Sequence, residues 1–226
     1  MQHRIRTRDV ELPSGTLAMR GILQVPDGSA GVVLFAHGSG SGRLSPRNGY
    51  VARVLQENGL ATLLMDLLTV EEERADARTG HLRFDIDLLA GRLLDATAWV
   101  AEEPELARLP VSYFGASTGA AAALQAAARR RGDIRAVVSR GGRPDLANAW
   151  LPQVEAPTLL IVGGDDLPVI PLNRQAYAAL RCERELAIVP GASHLFEEPG
   201  SLEEVAGLAA EWIARHTAVL TNRSSP

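Results

Sequence analysis

A series of short apolar runs, each cut off by glycines or charges, narrows what this chain can fold into. "AGVVLFAHGSGSG" and "LATLLMDL" are the clearest, and Val111–Phe114, Ile134–Ser139, Thr158–Val162 and Glu185–Val189 follow. A strand with one wet face alternates apolar and polar residues, whereas an unbroken apolar strand is covered on both faces. Helical patterns fill the gaps between the runs. Pro46–Asn58 carries Val51, Val54 and Leu55 at core spacing and stops at Gly59. Phe84–Glu103 has Ile86, Leu89, Leu93, Ala96 and Val100 in one stripe, and Thr118–Arg131, Leu172–Leu180 and Leu202–His216 complete the set. Ahead of them, Ile5–Leu12 and Thr16–Val25 read as a hairpin turning at Pro13-Ser14-Gly15. Strands alternating with helices predict a mostly parallel sheet with helices on both faces, entered through an antiparallel hairpin.

With 226 residues and no repeat or linker, the expectation is one α/β domain over residues 1–226. Residues 1–25 form its hairpin and 217–226 a frayed tail. "TVEEERADARTG", from Thr69 to Gly80, breaks the rhythm with charge and reads as a solvated loop or a mobile flap. The net charge of -4 argues against a nucleic-acid partner. All 23 basic residues are arginine, which excludes a Schiff-base lysine, a Ser-Lys dyad and a P-loop lysine. The single cysteine, Cys182, allows no internal disulfide and reads as a structural thiol. No apolar run approaches the roughly 20 residues of a membrane span, and the N-terminus lacks a signal-peptide core. The expected location is cytoplasmic, away from membranes.

In open α/β sheets the chemistry gathers outside the carboxyl ends of the strands. One such end reads Gly115-Ala116-Ser117-Thr118-Gly119, a G-x-S-x-G sequence between a strand and an alanine-rich helix. That context is the one in which the serine sits on a sharp turn with its hydroxyl exposed. Gly115, Gly119 and Ala120–Ala122 would let strand and helix approach closely, and the helix N-terminus would turn the Thr118 N–H toward an oxyanion. The plain alternative is a βα turn whose serine caps the helix. A nucleophilic serine needs a base, and the base an orienting carboxylate, in the chain order Ser, acid, His. Of the histidines beyond Ser117, His194 follows the last strand in "VPGASHLFEEPG", whereas His216 falls in the final helix and reads as a surface residue. Asp165 and Asp166 end another strand; Asp166 is assigned as the acid and Asp165 as a turn former. The loop "FAHGSGSGR" offers a second oxyanion donor in the Ser39 N–H, with His37 bracing the loop rather than reacting.

The set HGSG, GASTG, GGDD and SHLFEEPG, in this order, resembles the serine α/β-hydrolases of the dienelactone-hydrolase-like group from about Leu17 to His216. The resemblance implies a Ser117, Asp166, His194 triad with the Ser39 and Thr118 N–H groups as the oxyanion hole. It also implies carboxylesterase activity on a small-molecule ester and no metal or other cofactor. Dienelactone hydrolases proper are similar in pattern but carry cysteine at the elbow. Relatives in the group occur as extra domains on phosphoribosyltransferases, and no stretch of this chain resembles that partner domain.

No long insertion follows Ser139, where many relatives carry a cap domain, so an open site suited to small or short acyl chains is expected. Arg140 and Arg143, in "SRGGRPD", end another strand; either can receive a substrate carboxylate, or pair internally with Asp145. Arg43 and Arg47 are placed similarly, while Tyr113 and Trp150 read as packing residues. The same triad would also serve an acyltransferase or thioesterase, and a non-catalytic binding or regulatory domain is a further reading. Oligomeric state is not encoded in any of these features.

Overall fold

Gly31–Ala36 (β3), Leu60–Met65 (β4) and Thr158–Gly163 (β7) are buried along their whole length, as unbroken apolar runs require. The computed structural model describes residues 4–217, so the tail beyond Thr217 lies outside the described residues. Those three strands join an eight-stranded sheet with Ile5–Ser14 (β1), Leu17–Pro26 (β2), Val111–Ala116 (β5), Ile134–Arg140 (β6) and Arg184–Val189 (β8). The spatial order is β1-β2-β4-β3-β5-β6-β7-β8. β1 pairs antiparallel with β2, and β2 antiparallel with β4; every other pairing is parallel. The predicted single-domain α/β architecture with its antiparallel entry is therefore the observed one.

The helices are Pro46–Glu57 (α1), Val70–Thr79 (α2), Ile86–Glu102 (α3), Thr118–Arg129 (α4), Ile170–Ala179 (α5) and Ser201–Thr217 (α6), with 3₁₀ turns at Leu82–Phe84 and Pro144–Gln153. α1 and α6 cover one face through Val51, Leu55, Val205, Ala209 and Ile213. α3 and α4 cover the other through Leu89, Leu93, Ala96 and the α4 alanines. Every residue of α4 from Thr118 to Ala128 is buried. Its alanines bury methyl groups without losing rotamer freedom, so the helix sits deep at little entropic cost. The "RGGRPDLANAW" stretch carries only the 3₁₀ turns, with no cap domain above them. No helix of the described residues is long and apolar enough to cross a membrane.

One element departs from the sequence expectation. Thr69 to Gly80 is not a solvated loop but carries the capped helix α2. Thr69 Oγ1 accepts the Glu72 N–H, and the Glu72 carboxylate accepts the Thr69 N–H, a reciprocal capping box. Acidic residues 71–73 suit the positive end of the helix, and Gly80 ends it at φ 66°. With no apolar stripe, α2 is held by polar anchors instead. Glu72 bonds Arg92 of α3 at 2.5 Å, and the buried Asp76 accepts the Leu82 N–H at 2.7 Å and the Arg83 guanidinium. Burial opposes ionisation of Asp76, but these donors outweigh it and hold the carboxyl below its ordinary range.

Candidate active site

The chain reverses direction across the sheet between β3 and β5, which lie side by side. Loops leaving their carboxyl ends therefore splay apart and open a crevice there. Ser117 follows β5 directly, at φ 50° and ψ -119°, a conformation that a non-glycine residue adopts only at a cost. The surroundings fix it. Its N–H donates to Arg140 O at 3.2 Å, and its carbonyl accepts from Arg143 N at 3.0 Å and Ala120 N at 3.1 Å. Its side chain makes no N-cap hydrogen bond, so the plain capping role assigned by the alternative reading is not the one it plays. Gly119 is required by close approach: a Cβ there would stand 2.1 Å from Ala36 O. At Gly115 a Cβ would stand 2.5 Å from Ala120 Cα, so both glycines serve the tight turn.

The loop after β3 packs on this turn. A Cβ at Gly38 would come within 2.9 Å of Ser117 Cβ. The Ser39 N–H donates to Thr118 Oγ1 at 3.1 Å, which brings the two expected oxyanion donors to neighbouring positions. The Thr118 N–H opens α4 and has no acceptor within the helix. His37 does brace the loop. Its Nε2 accepts the Leu67 N–H at 2.9 Å, so its proton is on Nδ1, which donates to Gly38 O at 2.8 Å. Burial lowers the imidazole pKa and keeps this tautomer neutral.

His194 and Asp166 meet from two neighbouring strand ends. His194 Nδ1 lies 2.6 Å from Asp166 Oδ2, with Asp166 buried and His194 partly exposed. Asp165 is exposed and uses its backbone N–H on Ala192 O at 3.0 Å, as a turn former should. Gly163 is what allows the meeting: a Cβ there would stand 2.2 Å from Ala192 O. On its far side the His194 loop is pinned by Ser193 N–H to Glu198 at 3.0 Å, a bond that lowers the Glu198 pKa. The imidazole reaches Gly141, where a Cβ would stand 3.6 Å from His194 Cε1, and the adjoining Arg140 carbonyl holds Ser117. No hydrogen bond joins Ser117 Oγ to His194 among the described residues.

Other candidates are placed elsewhere. His216 is not a surface residue: its ring lies tilted against Trp212, centroids 4.5 Å apart, and its Nδ1 lies 2.8 Å from Trp212 O. It also contacts Glu183, at the opposite end of the sheet. Cys182 is half-buried against Thr158 at that same end, and burial raises its thiol pKa. Tyr113 is a packing residue, fully buried with its hydroxyl 2.7 Å from Thr97 Oγ1. Arg143 grips Asp145 with two bonds of 2.9 and 2.8 Å, so the internal pairing holds there. Arg43 bonds the Asp66 carboxylate through both backbone and guanidinium. Arg140 is buried and, among the described residues, unpaired. The crevice, about 630 Å³, is lined by Ser39, Thr118, Arg43, Arg47, Asp66 and by Glu73 and Asp76 of α2. The part α2 plays in walling the crevice was missed in the sequence, although the T-x-x-E capping box was there to be read.

The sequence pattern of the dienelactone hydrolase family matches residues 19–222. A dienelactone hydrolase structure from Anabaena variabilis is 59% identical, with a TM-score of 0.93 over 95% of this chain and 99% of that one. Est1E from Butyrivibrio proteoclasticus shares the fold at a TM-score of 0.77 and 16% identity, over 93% of this chain and 99% of its own. Curated proteins of Mycobacterium tuberculosis named putative phosphoribosyl transferases are 57% identical over 94% of this chain. The chain spans 47% of their length, about half. By pattern and by identity, the chain belongs to the dienelactone hydrolase family.

Proposed function

We propose that the chain is a serine hydrolase of carboxylic esters with small or short acyl groups. The observation that carries this is the strained Ser117 at a strand–helix turn, next to a loop that presents a histidine already held by a buried carboxylate. Membership of a hydrolase family supports the reaction class. The transferase name of the curated relatives belongs to proteins about twice as long.

In the proposed cycle Ser117 Oγ attacks the ester carbonyl while His194 Nε2 takes the hydroxyl proton. Asp166 accepts the Nδ1–H, which fixes the tautomer and stabilises the imidazolium. The Thr118 and Ser39 N–H groups receive the oxyanion; the Thr118 hydroxyl, now bonded to Ser39 N, swings aside by rotation about χ1. His194 then protonates the leaving alkoxide, and water repeats the attack on the acyl-enzyme. Binding and chemistry both occur at the crevice mouth, with no cap domain over it. Labelling with a fluorophosphonate tests the reading: stoichiometric modification of Ser117 is expected. An unlabelled Ser117, under conditions that modify a control esterase, overturns it. A screen of p-nitrophenyl esters of rising chain length then reads the acyl preference.

A further inference from the structure

Arg140 is the last residue of β6, in register with Ala116 on one side and Ile161 on the other. Its side chain takes the same sheet face as Ala136 and Val138, toward α1 and α6. Only 7% of the residue is exposed, and neither Nε nor Nη1 has a hydrogen-bond partner among the described residues. The other deeply buried arginine, Arg92, has Glu72. A buried guanidinium without a counter-charge is among the most costly groups a core can hold. An apolar side chain of similar length would fill the space without that cost.

A second cation stands close by. Burial first, and then repulsion from Arg47, pull the Arg140 pKa down to about 10. Arg47 belongs to the first turn of α1 and lines the crevice together with Ser39 and Thr118. Its Nη1 bonds Glu197 at 3.0 Å, while its Nε is buried and unpartnered. The Glu197 side chain is 64% exposed, so solvent screens that pair. Among the described residues, two guanidinium groups and one carboxylate leave one positive charge uncompensated, beside the residue whose own carbonyl fixes Ser117.

We propose that Arg140 and Arg47 form a receptor for one oxyanion, a carboxylate or phosphate group, beside Ser117. The anion offsets the buried charge and accepts the free guanidinium N–H groups, which present the planar fork that suits such groups. Carried on an ester, the same anion orients the carbonyl toward the serine. Only this substrate role rests on the esterase reading; the binding site itself does not.

The test has two arms on the full chain. In the first, thermal unfolding is followed with and without millimolar inorganic phosphate. Phosphate is expected to raise the Tm of the wild type by several degrees and to leave Arg140→Met unmoved, with Arg47→Met intermediate. In the second, kcat/KM is compared for p-nitrophenyl hemisuccinate and for neutral p-nitrophenyl butyrate. A preference of about tenfold or more for the anionic ester, collapsing in Arg140→Met, assigns the anion to the substrate. A phosphate shift that Arg140→Met abolishes, with no ester preference, assigns the same site to a free anion. Equal phosphate shifts in wild type and variant, or no shift together with no ester preference, overturn the site. Absence of all ester hydrolysis would count against the esterase reading while leaving the Tm arm intact. Should Arg140→Met not fold, Arg140→Lys keeps the charge but loses the fork and gives the weakened response.

Discussion

His194 Nδ1 stands 2.6 Å from Asp166 Oδ2, although the residues are 28 positions apart and leave different strands. The neighbouring carboxylate, Asp165, faces solvent. Asp166→Asn is therefore expected to lower kcat on a p-nitrophenyl ester by about 10⁴-fold, because the amide imposes the wrong imidazole tautomer. Asp165→Asn is expected to stay within a few-fold of wild type. Steady-state kinetics on both variants decides, and a larger loss at Asp165 would reverse the assignment.

Gly119 and Gly207 give opposite outcomes for one chemical change. A methyl at residue 119 meets Ala36 O at 2.1 Å, so Gly119→Ala is expected to cost about 3 kcal/mol or more and to displace Ser117. A methyl at Gly207, an exposed position of α6, meets nothing within 4 Å. There the substitution is expected to add up to about 1 kcal/mol through helix propensity. Urea unfolding of the pair reads both signs.

His37 makes stability depend on pH. Its folded pKa lies below the ordinary 6.5, so the unfolded chain binds this proton first as pH falls. Its contribution is thus whole above pH 6.5 and is lost progressively below that value, down to the folded pKa. His37→Gln, neutral throughout, is expected to flatten the fall in Tm between about pH 7.5 and about pH 5 relative to wild type. Parallel curves for the two proteins would mean that His37 is not the titrating group.

Helix α2 depends on two anchors of unequal strength. Thr69→Ala removes a cap and is expected to cost about 1 kcal/mol. Glu72→Gln keeps the cap geometry but strips the buried Arg92 of its counter-charge, and the expected cost is about 3 kcal/mol. Chemical denaturation checks the order; a Thr69→Ala loss exceeding that of Glu72→Gln would place the weight on the cap instead.

Most of the sheet was legible because burial on both faces leaves its mark on consecutive residues. The runs at Gly31–Ala36 and Thr158–Gly163 needed no partner to be recognised. The elbow was legible because Gly115 and Gly119 are forced by backbone contacts, Gly115 with the start of α4 and Gly119 with the end of β3. Helix α2 was not, because hydrophobic periodicity is silent about an element held by carboxylates and arginines; its signal lay in Thr69, Glu72 and Gly80. His216 misled for a related reason. Charged neighbours along the chain gave no hint that Trp212, one turn earlier, would cover its ring. Which arginine at the end of β6 stays unpaired was beyond reach too: Arg143 finds Asp145 two residues on, and nothing local marks Arg140 as left without a partner.

Among the described residues β8 is an edge strand, paired with β7 alone and only partly buried along most of its length. The loop that carries His194 hangs from it, whereas Ser117 is anchored in the middle of the sheet. An outermost strand is the part of a sheet most prone to local opening. The imidazole is therefore tied to the least secure rung of the ladder and the hydroxyl to one of the most secure. On warming, turnover should fade while the bulk of the fold still reports itself intact, so the enzyme's working range would be set by how firmly its last strand stays zipped to its neighbour.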